Sequence, residues 1–287
     1  MNQSMCWVSE GKTPKVAFFG RKPAGAAALR MLLNLGWDIT CVVVPDRSDP
    51  DWMPRPHVKD VAAELDLKVF TQRELLKEIQ AQSIERPDFL ISYLYSQRVL
   101  PETLRFPKTA AINFHSAPLP ELGGWGVYIH AILADYKSYG VSCHIMTENF
   151  DEGAIIGRRD FPIDPSRETS LSLERKSQPE MLILFHDVCR RIMNGESIEL
   201  DTRPLQTYVS RVEVASLQAV PDDCPPDELD KRARAFWYPP YSGAYLASHG
   251  EDFTIAPASA LADIGNEIHH DTFQELWQLA RTLLDEK

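Results

Sequence analysis

The sequence predicts an α/β fold: a mostly parallel sheet with helices on both faces, followed by a small C-terminal α+β module. Two observations carry this. From Val16 to about Ile163, short apolar runs alternate with stretches of helical spacing, as strands and crossover helices do. Beyond about residue 220 the pattern changes to a Pro- and acid-rich stretch, aromatic-rich runs and a last amphipathic segment. The expected division is therefore 1–220, with a core at about 15–200, and 221–287.

Each element has its own justification. "KVAFFG" (15–20) reads as a buried strand stopped by Gly20. "AGAAALRMLLNLG" (24–36) has helical spacing at Leu29, Leu32, Leu33 and Leu35, with Gly36 where a C-terminal cap belongs. "DITCVVV" (38–44) is a second strand. Helical stretches near 56–65 and 72–82 flank a short "LKVF" (67–70). "DFLISYLY" (88–95) and "AAINF" (110–114) are strands with a helical turn at 100–104 between them. "VYIHAILADY" (127–136) is a helix and "GVSCHIM" (140–146) a strand, taken as parallel to the others.

Further on, "PEMLILFHDVCRRIMNG" (179–195) reads as a helix that begins with its Pro and stops at Gly195. "PDDCPPDELD" (221–230), with three Pro and five acids, has the composition of a linker. The runs 233–246 and 248–256 read as strands joined at His249-Gly250. A helix over 271–284 opens with a Thr272…Glu275 capping box. These aromatic strands and this helix present more apolar surface than about 60 residues cover alone. A homodimer through the C-terminal module is therefore expected.

Composition narrows the function. Apolar residues at 44% and charged residues at 25% are the mix of a water-soluble globular protein. No run approaches the roughly 18 apolar residues of a membrane span, and the N-terminus lacks the features of a secretory signal. Cys6, Cys41, Cys143, Cys189 and Cys224 form no C-x-x-C pair, as expected of reduced thiols in the cytoplasm. Acidic residues outnumber basic ones 41 to 30, giving a net charge of −11 that argues against nucleic acid as a partner. His130 and His144 have no acidic or thiol partners at ligand spacing, so no metal is expected and both read as packing residues. "FGRKPAG" (19–25) lacks the spacing of a dinucleotide fingerprint.

The chemistry concentrates in "INFHSAPLPELGGWG" (112–126). Asn113 and His115 are two residues apart at the end of a strand and project to one face. In an open parallel sheet that end borders the ligand crevice. Asp151, in "NFDEGAIIG" (149–157), follows the next strand at the same sheet edge if that strand is parallel. An Asn amide donates to a developing oxyanion, a His accepts a proton, and a carboxylate steadies the charge. No G-x-S-x-G elbow is present, so direct transfer of an acyl-like group between two bound molecules fits better than an acyl-enzyme. Pro118 and Pro120 stiffen the intervening loop, and Gly123, Gly124 and Gly126 let backbone approach a flat ligand.

"NFHSAPLPELGGWG", followed 36 residues after His115 by Asp151 in "FDEGAII", resembles the 10-formyltetrahydrofolate-dependent formyltransferases over about residues 15–200. The resemblance implies a Rossmann-like sheet, no metal, and transfer of a formyl group from 10-formyltetrahydrofolate to an amine. It assigns Asn113 to the formyl oxygen, His115 as base and Asp151 to the proton network. It places the folate at Tyr93, Leu94, Tyr95 and Ser96, through backbone contacts in "SYLYSQRVLP" (92–101), and at Leu119, Pro120 and Asp151. The acceptor falls to Ala117, Pro118, Gly123, Gly124 and Trp125. For Trp125, stacking on a ligand and covering the core are both open readings.

Within that family, Gly123-Gly124 stands where methionyl-tRNA formyltransferases usually carry Arg-Gly. The extra module sets the chain apart from the shorter glycinamide ribonucleotide enzymes. "PLPELGGWG" and "FWYPPY" look most like the sugar-nucleotide N-formyltransferases, which act on dTDP- or GDP-linked amino-dideoxy sugars. The alternatives are another amine (methionyl-tRNA, hydroxyornithine or a carrier-bound amino acid), a formyltetrahydrofolate hydrolase, and a non-catalytic folate- or nucleotide-binding regulator.

Overall fold

The computed structural model describes residues 3–8, 12–47, 49–50, 52–261, 264 and 276. A short strand, β1 (Gln3–Met5), comes first. The alternation follows as β2 (Lys15–Gly20), α1 (Lys22–Asn34), β3 (Asp38–Val44), α2 (Val58–Glu64), β4 (Val69–Thr71), α3 (Gln72–Gln80), β5 (Phe89–Tyr93), α4 (Pro101–Leu104) and β6 (Ala110–His115). Next are β7 (Gly123–Gly124), α5 (Val127–Leu133), β8 (Ser138–Ile145), β9 (Ile155–Pro162) and α6 (Ser170–Met193). The rest are β10 (Ile198–Leu200), β11 (Tyr208–Val209), α7 (Arg211–Ser216), β12 (Ala219–Val220), α8 (Pro226–Ala235) and β13 (Tyr245–Leu246).

Seven strands form one Rossmann-like sheet in the order β4-β3-β2-β5-β6-β8-β9. Strands β2 to β6 within it pair in parallel. Side chains alternate across the sheet, so each strand feeds two cores. Val16, Phe18, Phe89, Ile112 and Phe114 pack with Leu29 and Leu32 of α1 and Phe185 and Val188 of α6. Ala17, Phe19, Leu90 and Ala111 pack on the other face with Leu75 of α3 and Phe106. Helices thus cover both faces.

The strand β8 departs from the expected course. It runs antiparallel between β6 and β9, pairing Asn113 with His144 and His115 with Ser142. An apolar run specifies burial and not direction, so periodicity carries no sign of this reversal.

Other expected elements also change. The helix predicted from Pro179 begins at Ser170 and holds Pro179 inside it. Its start is set upstream, where Thr169 Oγ1 accepts from Ser172 N at 3.0 Å, a helix-start cap. The stretch 221–230 is not all linker, because α8 begins at Pro226. Pro at the first position, Asp227 and Glu228 in the first turn, and Arg232 and Arg234 in the last suit a helix and its dipole. Of the strands expected after 233, only Tyr245–Leu246 forms, in parallel with Ala219–Val220, and 248–256 holds none. The expected helix over 271–284 and its capping box lie outside the described residues.

The chain divides into two compact units. One comprises Met1–Val127, Ser138–Pro162 and Glu174–Val209, and contains the large sheet. The other comprises Tyr128–Lys137, Ile163–Leu173 and Ser210–Lys287. In this second unit the buried Arg234 guanidinium donates to Pro165 O at 2.6 Å and to Asp230 Oδ2 at 2.7 Å, tying α8 to the 163–173 segment. Among the described residues, no helix is long and apolar enough to cross a membrane.

Candidate active site

Because β6 alternates, Asn113 and His115 share the face of Ala111. Directly opposed residues of an antiparallel pair lie on one face, so His144 and Ser142 join them. Four polar side chains thus form a small cluster on the sheet, set among apolar neighbours.

Asp151 reaches this cluster from the loop between β8 and β9. Its backbone is left-handed, with φ 58°. Gly153 permits the tight return, since a Cβ there would lie 1.7 Å from Ile145 O. Asp151 Oδ2 accepts from Gly124 N at 2.8 Å and lies 3.7 Å from His115 Nε2. Asp151 Oδ1 lies 3.4 Å from His144 Nε2. The loop is also held from outside: Arg98 Nη2 donates to Glu148 O at 2.8 Å, and its guanidinium lies 5.2 Å from the Phe150 ring centre.

The electrostatics separate the roles. Burial would raise the Asp151 carboxyl, but His115, His144 and the Gly124 N–H outweigh it and hold it well below the usual carboxylate range. It is ionised at neutral pH. Burial lowers the His115 pKa below 6.5, Asp151 opposes this, and His144 adds to it. His115 is therefore a neutral imidazole at pH 7, and its Nε2 is buried without a hydrogen-bond partner. A buried nitrogen left unpaired beside an ionised carboxylate is suited to receive a proton.

The loop after β6 that carries Leu119-Pro120, the L-P loop, is clipped onto the sheet by Ser142. Its hydroxyl donates to Ala117 O at 2.8 Å and accepts from Leu119 N at 2.9 Å. Ala117, Pro118, Leu119 and Pro120 are buried. Gly123 and Gly124 pair in parallel with Tyr208 and Val209. At Gly124, with φ 94°, a Cβ would lie 2.3 Å from Val209 O, so only glycine fits. Trp125 N donates to Val209 O at 2.8 Å, and 47% of that residue is exposed, so it is not core.

Four of the expected cofactor residues, Tyr93 to Ser96, lie at the end of β5 and in the loop after it. The Tyr93 ring packs in the core against Phe114 and Phe185, and the whole residue is buried at the end of β5, between Gly20 and Phe114 in the sheet. Leu94 has φ 56°, which turns the chain sharply there. Tyr95 stacks edge-on against Phe19 at 5.2 Å and its hydroxyl meets Gln97 Oε1 at 3.0 Å; Ser96 lies between them in sequence. The buried Gln72 fixes the far end of the loop, donating to Arg98 O and accepting from Leu100 N, both at 2.9 Å.

The structure therefore brings Asn113, His115, Asp151 and Gly124 together, and adds Ser142 and His144. From the sequence alone His144 reads as a packing residue, and Ser142 is one residue of the strand 140–146. Their signal was present: they are a polar pair two residues apart within an apolar run, the same spacing as Asn113 and His115. Among the described residues, no group of three or more His, Cys, Asp or Glu side chains is placed to hold a metal ion.

The chain is similar to known proteins in sequence and in fold. A methionyl-tRNA formyltransferase from Lysinibacillus sphaericus is 32% identical over 167 residues, which cover 56% of this chain and 53% of that one. The chain thus spans about half the length of that relative. In fold it is similar to a 4-N formyltransferase from Francisella tularensis, with TM-score 0.68 and 16% identity over 85% of this chain and 98% of that one. It is also similar to an N-formyltransferase from Helicobacter canadensis in complex with folinic acid and dTDP-3-aminofucose, with TM-score 0.62 and 19% identity over 79% and 81%. The family described as formyl transferase matches residues 15–188, more than half of the sequence, and the chain belongs to that family.

Proposed function

We propose that this protein transfers a formyl group from 10-formyltetrahydrofolate to the amino group of a dTDP- or GDP-linked amino-dideoxy sugar. The observation that carries the chemistry is the buried, unpaired His115 Nε2 at 3.7 Å from the ionised Asp151. The amine lone pair attacks the formyl carbon and a C–N bond forms. His115 Nε2 takes the proton lost by the amine, and Asp151 stabilises the imidazolium so formed. Asn113 donates to the formyl oxygen as negative charge develops on it. The C–N bond to the folate then breaks, and the folate nitrogen takes a proton, giving tetrahydrofolate and the formamide.

The folate lies along the backbone of 93–96 with Leu119, Pro120 and Asp151 beside it, and the acceptor lies at Ala117, Pro118 and Gly123 to Trp125. A sugar acceptor is supported by the complex of the Helicobacter protein and by the net charge of −11, which opposes a polyanion the size of a tRNA. Methionyl-tRNA is the second reading, favoured by the 32% identity to the Lysinibacillus enzyme. We place catalysis in residues 1–220, in the cytoplasm, and pairing of two copies in 221–287, where Tyr241 and Phe253 are 54% and 60% exposed.

The test is a screen of dTDP-, GDP- and UDP-linked amino sugars and methionyl-tRNA with 10-formyltetrahydrofolate, reading the formylated acceptor by mass. Turnover with a nucleotide sugar supports the proposal. Turnover with the tRNA alone, or release of formate without an amine, overturns it. Sedimentation as a monomer at micromolar concentration overturns the pairing.

A further inference from the structure

We propose that Arg98 is a positioning residue that sets Asp151 against His115 by bracing the loop between β8 and β9 from outside. This deepens the formyl-transfer reading above and rests on it. Asp151 is a non-glycine residue at φ 58°, a conformation such residues hold where their surroundings impose it. Gly124 N anchors its carboxylate at 2.8 Å. The side-chain bonds along the chain around it are internal to the loop. Thr147 Oγ1 donates to Asn149 O at 3.0 Å, and Asn149 Nδ2 donates to Glu152 Oε2 at 2.8 Å. Such bonds travel with the loop and do not tie it to the sheet.

Arg98 supplies a fixed point. The buried Gln72 of α3 holds its backbone, donating to Arg98 O and accepting from Leu100 N, both at 2.9 Å. From that base the side chain reaches across. Nη2 donates to Glu148 O at 2.8 Å, and the guanidinium carbon lies 5.2 Å from the Phe150 ring centre. A guanidinium can do both at once, because it donates at its edge while its plane is attracted to a ring. The two contacts fall three residues and one residue before Asp151, so together they fix the course of the chain that enters it. Arg105 also reaches Glu148, at 3.0 Å, but through the carboxylate, with 65% of each side chain exposed. An ion pair so open to water holds little. The two arginines thus differ in what they grip: Arg98 the backbone, Arg105 a side chain. Arg98 also belongs to 92–101, the stretch proposed to receive the folate, so the brace ties that loop to the residue that steadies the proton acceptor.

The experiment compares Arg98→Ala and Arg105→Ala with the parent protein. Amide hydrogen exchange comes first, because it needs no substrate. Exchange over residues 147–153 should be about 10-fold faster in Arg98→Ala and within about twofold of the parent in Arg105→Ala. Formyl transfer is then assayed with 10-formyltetrahydrofolate and a dTDP-linked 3-amino-dideoxy sugar. Arg98→Ala should lower kcat about 10-fold, the cost of a misplaced group, with KM for the sugar within about twofold. Tm should not move, since both partners of Arg98 lie at the surface. Arg105→Ala should keep the parent kcat. Unchanged exchange over 147–153 in Arg98→Ala, a full kcat, or an equal loss in Arg105→Ala overturns the proposal. So does a fall in Tm that accounts for the lost activity. If Arg98→Ala fails to fold, Phe150→Leu, made on a half-exposed ring, decides by the same two readings. If the parent formylates neither this sugar nor any other amine of the screen above, the formyl-transfer reading falls. Hydrogen exchange then still decides whether Arg98 braces the loop.

Discussion

His115 Nε2 and Asp151 Oδ2 face each other at 3.7 Å, close enough for charge to act and too far for a good hydrogen bond. Burial lowers His115 below its ordinary 6.5, against the pull of Asp151. A base works only when neutral, so the rate falls as pH drops through this lowered pKa. The acid limb of kcat/KM, measured for formyl transfer, is therefore expected below 6.5. A limb at or above 6.5 contradicts it. The same sign holds for stability: the folded state binds this proton less readily than the unfolded one, so stability is kept above 6.5 and lost as pH falls through the folded value.

Replacing the base should separate chemistry from binding. His115→Asn keeps hydrogen-bonding capacity and loses the proton acceptor. Turnover should fall about 100- to 10,000-fold with little change in folate binding. Asp151→Asn should also be severely impaired, and it removes the charge that raises His115, so the residual acid limb moves to still lower pH. Equal losses of binding and turnover in folded variants point to packing instead.

Gly124 is predicted to tolerate no side chain. With φ 94° and Val209 O 2.3 Å from the added Cβ, Gly124→Ala must distort the backbone that donates to Asp151. A stability loss of about 1–3 kcal/mol is expected in chemical denaturation, together with lower activity. A change within about 0.5 kcal/mol, the range of a neutral surface substitution, refutes this.

Ser142→Ala leaves Leu119 N and Ala117 O without their shared buried partner. Each buried group left unpaired costs about 1–3 kcal/mol. The melting temperature should drop, and activity should fall through a loosened L-P loop. A variant as stable as the parent means that the hydroxyl does not hold that loop.

How much of this was legible depends on what side-chain periodicity encodes. The sheet, its two cores and the Asn113–His115 pair follow from alternation and apolar spacing, which are local properties. The direction of β8 is set by pairing with distant strands, and so the companionship of His144 and Ser142 was hidden although their spacing was visible. Pro179 misled because a proline suits a helix's first turn, while here the Thr169 cap had already started the helix. At Pro226 the opposite occurred: a helix start with its acids reads, by composition alone, as a linker.

The pairing of β6 with β8 also makes the reaction centre inseparable from the core. Phe114 and Cys143 face one core in the same two strands that turn Asn113, His115, Ser142 and His144 to the other side. A slip of one residue would expose the first pair to the wrong layer and scatter the second set. The hydrophobic layer thus acts as a proofreader: a chain that has buried Phe114 and Cys143 correctly has already aligned its chemistry.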